Sequence, residues 1–237
     1  MGQPKDIEVR KVAIGPFKCY LEGKEFLGET YWLFFGISFV ALILGGLVPL
    51  ILIGPAYAGI AICLLARARN EPMVFEHVFK GFDYFGPSLI ASLIYVGGVM
   101  VLAIPFLVIL MSGVIMMGSQ DALLMMIAGV LLCLATGYWL FVVSMSMMVF
   151  IFAIFLIVDK KMDGWPAIQY AMKGVSKNFW GIVGTSIAGQ VIYFVGAMLC
   201  FFPALLAIPI IFTGHFVAYW KIYGVQSSNV VMAEEAY

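Results

Sequence analysis

Four long apolar runs that contain no charged side chain constrain this chain more than any other feature. Residues 31–66, 87–117, 122–158 and 181–220 contain no Asp, Glu, Lys or Arg. About 20 apolar residues in a helix cross a hydrocarbon core of roughly 30 Å, so each run can cross a membrane at least once. Spans must be helices or a closed barrel, because lipid cannot hydrogen-bond a bare backbone. Barrel strands alternate polar and apolar residues, and these runs do not. The sequence therefore predicts an all-α, polytopic transmembrane helical bundle.

The charge content agrees with a membrane protein and excludes nucleic-acid binding. Charged residues make up 11% of the chain, whereas soluble domains carry about 25%. The 13 Lys and Arg are dispersed and balanced by 13 Asp and Glu. A nucleic-acid-binding surface would instead gather cations on one face. We expect membrane lipid as a partner and no nucleic acid.

The distribution of the cations predicts the topology. All 13 Lys and Arg lie in 1–30, 67–86, 159–180 and the tail after Trp220. Basic loops stay in the cytoplasm, so an even number of crossings must separate these segments. The predicted spans are about 31–53, 55–68, 87–117, 122–158, 181–202 and 204–221. We expect a bacterial inner-membrane protein with both termini in the cytoplasm. Its parts are an N-terminal cytoplasmic segment (1–30), a transmembrane domain (31–222) and a cytoplasmic tail (223–237).

Two of these spans have unusual lengths. The segment 55–68, set by a break at Gly54-Pro55, has too few residues for an upright crossing. We expect it to take residues from the preceding run, to tilt or to thin the bilayer. As one straight helix, 122–158 would be about 55 Å long. We expect it to break near Thr136-Gly137 or to protrude from the membrane.

Two polar segments resemble each other and suggest an internal duplication. Val78-Phe79-Lys80-Gly81-Phe82 is similar to Ala171-Met172-Lys173-Gly174-Val175, and an aromatic-Gly pair and a long run follow each. Helical spacing gives both segments an apolar face. The predicted membrane-surface residues are Phe75, Phe79 and Phe82 in the first segment and Ile168, Met172 and Phe179 in the second. These amphipathic helices either lie on the cytoplasmic membrane surface or pack on the bundle as connectors.

Few polar residues lie inside the predicted spans. His215 and Gln190 are the candidate intramembrane polar site, because an ionisable group at membrane depth is a functional candidate. The simpler interpretation is a neutral His215 bonded to a backbone carbonyl of a facing helix. Gly181, Thr185 and Gly189 recur every four residues and are the candidate helix-packing stripe. Packing within the chain is favoured over a homodimer face.

No pattern predicts catalysis, a cofactor or a metal. No nucleotide-binding loop, metalloprotease motif or nucleophile elbow occurs, and no pair of carboxylates lies inside a span. The four cysteines are far apart in sequence and form no CxxC motif. We therefore expect a protein that is not an enzyme.

Several short motifs resemble a known family. They are Gly54-Pro55-Ala56-Tyr57-Ala58-Gly59, the basic end at Arg67, Phe79-Lys80-Gly81-Phe82, and the polar segment from Asp159 to Lys177. In these the chain resembles poorly characterised bacterial integral-membrane families related to the membrane domain of some glycerophosphodiester phosphodiesterases, over about residues 30–222. The resemblance implies a bacterial inner-membrane bundle and no phosphodiesterase activity.

Two functions fit these features. The first is a non-enzymatic membrane subunit or scaffold that assembles with itself or with other membrane proteins, suggested by the stripe of small residues and the Met- and aromatic-rich faces. The alternative is a transporter-like protein that binds lipid or an apolar small molecule, suggested by the duplication and the kinked spans.

Overall fold

The chain is all-α, which confirms the predicted fold class. The structure, a computed structural model, describes residues 8–199 and 201–224. Within these ranges it contains α-helices and two 3₁₀ turns and no strand. Six helical stretches of the described residues are long and apolar enough to cross a membrane. The α-helices are α1 (Pro16–Leu27), α2 (Tyr31–Leu47), α3 (Pro49–Ala68), α4 (His77–Lys80), α5 (Phe85–Met117), α6 (Ala122–Lys160), α7 (Gly164–Lys177), α8 (Phe179–Leu199) and α9 (Phe201–Tyr223).

The first two apolar helices separate at Val48, not at Gly54-Pro55 as the sequence predicts. Val48 has an extended backbone (φ −137°, ψ 80°), and α3 begins at Pro49. Proline suits the first turn of a helix, and the residue before it avoids helical angles. Pro55 lies inside α3, which has 20 residues and is long enough to cross. The predicted break at Gly54-Pro55 is therefore wrong, whereas the alternative that this span takes residues from the preceding run is confirmed.

Among three further predictions, the structure contradicts only the break expected in 122–158. Helix α6 runs unbroken through Thr136-Gly137, and its 39 residues correspond to about 58 Å. The first membrane-length stretch begins at Pro16, inside the segment predicted to be the cytoplasmic N-terminus. The predicted tail 223–237 lies outside the described residues after Gly224.

The chain forms two compact units. Unit 1 comprises residues 1–92 and 148–237, and unit 2 comprises 93–147. Unit 1 has an aromatic core in which Phe155 packs on Tyr219 with ring centroids 5.0 Å apart, and Tyr57 packs on Phe150 at 5.5 Å. In unit 2 the rings of Phe106 and Trp139 stack at 4.8 Å.

The four basic segments meet at one end of unit 1, which we call the basic end. Arg69, just after α3, pairs with Asp159 near the end of α6. The ammonium of Lys160 donates to the carbonyl of Gly224, just after α9. Lys177 at the end of α7 donates to the carbonyl of Val9 in the N-terminal segment.

The first predicted membrane-surface helix, around residues 75–82, is much shorter in the structure than the sequence predicts. Residues 77–80 form a single turn of α-helix, and Gly81–Tyr84 continue as a 3₁₀ turn. The physical reason is close packing on α3: a β-carbon on Gly81 would lie 2.5 Å from the Gly59 nitrogen and closer still to the Pro55 carbonyl oxygen. This turn thus joins two of the motifs that carry the family resemblance.

Candidate functional site

A buried carboxylate organises the basic end. The side chain of Asp159 has no solvent exposure. Its Oδ1 accepts a hydrogen bond from Arg69 Nη2 at 2.8 Å, and its Oδ2 faces Lys160 Nζ at 3.0 Å. The Tyr219 hydroxyl also donates to Oδ2 at 3.1 Å. A carboxylate removed from water costs several kcal/mol unless partners satisfy it, so this network ties the ends of α3 and α6 to α9.

A cavity of about 380 Å³ opens beside this network. Its apolar side is lined by Ile62, Leu65 and Val158. Its polar side is lined by Arg69, Glu71, His77, Lys80, Asp159 and Lys161. The lining of the cavity therefore combines apolar residues with three cations and two acids.

Two residues with a left-handed backbone lie next to or in the cavity lining. Asn70 (φ 59°) lies between the lining residues Arg69 and Glu71, and Lys161 (φ 51°), itself a lining residue, follows α6. Asparagine tolerates this conformation, but a lysine in it carries strain of roughly 1–2 kcal/mol. Glycine is the usual residue after a helix end. A lysine at position 161 therefore makes the fold less stable than a glycine would.

Two buried polar atoms around the cavity have no hydrogen-bond partner in the described part of the chain. They are Arg69 Nε and His77 Nδ1. Buried polar groups in proteins are nearly always satisfied, so such atoms require an explanation. Both residues line the cavity, although these two nitrogens themselves are covered by neighbouring atoms.

His215 contacts a tyrosine instead of the backbone carbonyl that the simpler interpretation expected. The Tyr20 hydroxyl donates to the Thr185 carbonyl at 2.7 Å and lies 3.3 Å from His215 Nε2. A hydroxyl has one proton, so Nε2 is the donor toward Tyr20. Gln190 is half-buried in α8.

The small-residue stripe on α8 lies against the N-terminal part of the same chain. A β-carbon on Gly181 would be 2.8 Å from Ile14 Cβ, and one on Gly189 would be 2.5 Å from the Tyr20 hydroxyl. Thr185 is fully buried and supplies the carbonyl that Tyr20 binds. In this structure the stripe allows α1 to approach α8.

The predicted membrane-surface residues fall into two groups. Ile168 is buried, because α7 packs its apolar face on unit 1. The other predicted residues are each more than one-third exposed: Phe75, Phe79, Phe82, Met172 and Phe179. The exposed phenylalanines of the first group lie in the segment that also supplies His77 and Lys80 to the cavity.

The Asp159 network was not predicted as a site. Two signals were present in the sequence: Asp159 follows the 122–158 run directly, and Arg69 closely follows the run that ends at residue 66. Within the described residues no group of three or more His, Cys, Asp or Glu side chains could hold a metal ion.

The six apolar helical stretches and the charged basic end define a multi-pass membrane protein. No protein-family model, curated protein or solved structure matches the chain.

Proposed function

We propose that this protein is a non-enzymatic integral membrane subunit that assembles with a second copy of itself through unit 2. The observation that carries the proposal is a row of small residues along α6: Gly129, Cys133 and Gly137 recur every four residues. A β-carbon on Gly129 or Gly137 would meet nothing within 4 Å, and Cys133 is exposed. The row therefore meets no other part of the chain among the residues that the structure describes.

The physics of helix association in lipid supports this interpretation. Lipid tails are as apolar as leucine, so helices associate through close backbone approach, which small residues permit. A glycine inside a helix costs about 1 kcal/mol relative to alanine. Two open glycines on one face thus lower helix stability without packing against anything in the chain, and a partner helix would provide that packing. A symmetric dimer uses the same patch on both copies, which a single row can supply.

Cross-linking through the native Cys133 tests the proposal. The variant keeps Cys133 and carries Cys19→Ala, Cys63→Ala and Cys200→Ala. Cys19 and Cys63 are buried in the monomer. We expect copper-phenanthroline oxidation in native membranes to give a disulfide-linked dimer, because the row places the two thiols near the symmetry axis. Gly129→Leu with Gly137→Leu should abolish the dimer, since the added side chains hold the helices apart.

Two controls make this test decisive. Gly36→Leu also adds a side chain where nothing lies within 4 Å, but its neighbours four residues away are Trp32 and Val40, so the dimer should persist. A single cysteine at Met198, an exposed position on α8, reports random collision. Equal cross-linking at Met198→Cys and Cys133 would overturn the proposal, as would a Cys133 adduct formed only with a different protein.

We also propose that the protein lies in a bacterial inner membrane with both termini in the cytoplasm. The resemblance to the membrane family described above is part of this proposal. The positive-inside bias supports this orientation, because the basic segments of the described chain meet at one end. We expect green fluorescent protein fused to the C-terminus to fluoresce and alkaline phosphatase fused there to be inactive. Alkaline phosphatase inserted into the 118–121 turn should be active, and the opposite pattern would refute this topology.

A lipid-binding function is the second candidate, and one observation favours it. The cavity at the basic end has an apolar side, and the nearby Phe75, Phe79 and Phe82 are exposed. An amphipathic ligand can place its polar group in the cavity and its apolar part along these rings.

A further inference from the structure

We infer that the cavity at the basic end binds a phosphate group, carried either by the headgroup of an anionic lipid or by a soluble phosphate ester. The expectation that a lipid supplies the phosphate rests on the lipid-binding candidate. The phosphate site itself does not depend on that candidate or on dimer formation. Phosphate offers several strong acceptor oxygens and negative charge, and the cavity presents donors and positive charge.

The charges around the cavity favour an anion. Lys80 and Lys161 are exposed, and within the described residues neither forms an ion pair with an acid. Asp159 does not neutralise them, because Arg69, Lys160 and Tyr219 already occupy its two oxygens. Glu71 is the other acid that lines the cavity.

Unused donors point to the same ligand. Arg69 uses Nη2 for Asp159, while its Nε is buried without a partner. The guanidinium edge thus retains a donor beside the cavity. His77 Nδ1 is also buried without a partner, and it becomes a donor in the tautomer that carries its proton there. A phosphate in the cavity would accept from both groups once their side chains turn these covered nitrogens toward it.

The conformation of Lys161 agrees with a role in binding. Lysine in the left-handed region is strained, and strained residues cluster at ligand sites because binding gains offset the strain. Lys161→Gly should therefore raise the thermal midpoint while it weakens binding. Loss of binding in a more stable protein cannot be attributed to unfolding.

The segment that carries Phe75 and Phe79, beside the cavity, suits a lipid ligand. Phe75 and Phe79 pack edge to face with ring centroids 6.4 Å apart, and both are exposed. They lie in the segment that carries His77 and Lys80. Acyl chains beside these rings would place a headgroup phosphate at the cavity, which is why the lipid is the expected source.

The test uses the full-length protein in detergent and native mass spectrometry. Dioleoyl phosphatidylglycerol and dioleoyl phosphatidylcholine are offered in equal amounts, and we expect selective retention of phosphatidylglycerol. Lys80→Gln with Lys161→Gln should lower that retention about 25-fold, since each lysine near anionic lipid contributes about fivefold. The matched control is Lys18→Gln with Lys24→Gln, which removes the same charge from exposed positions outside the cavity.

Each outcome has a definite meaning. Loss of retention in the cavity variant and in Lys161→Gly, with the control unchanged, supports the site. Retention of glycerol 3-phosphate as strong as that of phosphatidylglycerol would identify soluble esters as the source, and retention of phosphatidylglycerol alone would identify lipid. Equal loss in both lysine pairs, or in neither, would overturn the site while lipid binding stands. If the unaltered protein retains no phosphatidylglycerol and inorganic phosphate does not bind, both the site and the lipid-binding candidate are refuted.

Discussion

Asp159→Ala should be among the most destabilising single substitutions in this chain. The change leaves Arg69 and Lys160 without their carboxylate partner and Tyr219 without its acceptor. Breaking a buried ion pair by removing one member typically costs about 3–5 kcal/mol, because the remaining charge is uncompensated. For a chain of this size the midpoint of thermal unfolding should fall by about 10 °C. Thermal unfolding in detergent, followed by circular dichroism, measures the effect.

Two companion variants separate the network from the loss of one negative charge. Asp163→Asn removes an exposed carboxylate four residues away that makes no side-chain cap bond, and its midpoint should stay within about 2 °C of the parent. Replacing both Arg69 and Asp159, in Arg69→Met with Asp159→Leu, should destabilise less than Asp159→Ala alone, because Lys160 is then the one cation of the network without its carboxylate. If Asp159→Ala unfolds at the same temperature as Asp163→Asn, the network does not hold the basic end together.

The sequence predicts the membrane architecture well because that architecture depends on local composition. A run without charge must lie in lipid or in a core, so the six apolar stretches follow from the positions of Lys, Arg, Asp and Glu. The exact boundary between α2 and α3 does not follow in the same way. Gly54-Pro55 looks like a break, yet Gly54 is needed where α3 approaches the start of α5, since a β-carbon there would lie 2.5 Å from the Ser88 carbonyl oxygen.

The candidate site could be predicted only in part because its members are distant in sequence. Arg69 and Asp159 are 90 residues apart, and no local pattern indicates that they pair. His215 could be identified as an unusual polar residue, but its partner Tyr20 lies in the segment that the sequence assigned to the cytoplasm. The open row on α6 was present in the sequence as Gly129, Cys133 and Gly137. What the structure adds is that a β-carbon on either glycine would meet nothing within 4 Å in the described part of the chain.

Gly81→Ala should have the second large effect on stability. The added β-carbon would lie 2.5 Å from the Gly59 nitrogen and closer still to the Pro55 carbonyl oxygen. Both are backbone atoms of α3, so no side-chain rotation can relieve the overlap. Overpacking of this kind costs about 1–3 kcal/mol, and we expect the upper part of that range, or a fall of about 6–10 °C in the unfolding midpoint.

The same interface offers an internal test of this explanation. A β-carbon on Gly59 would meet Val78, with the carbonyl carbon 2.9 Å away, so Gly59→Ala forces apart the same two segments. Once one alanine has separated them, the second should cost less, and Gly59→Ala with Gly81→Ala should destabilise by less than the sum of the single changes. Gly86→Ala is the matched control, because nothing lies within 4 Å of its β-carbon position and alanine favours the helix by up to about 1 kcal/mol. If Gly81→Ala and Gly86→Ala change the unfolding midpoint equally, the loss of a glycine, and not close contact with α3, explains the effect at Gly81.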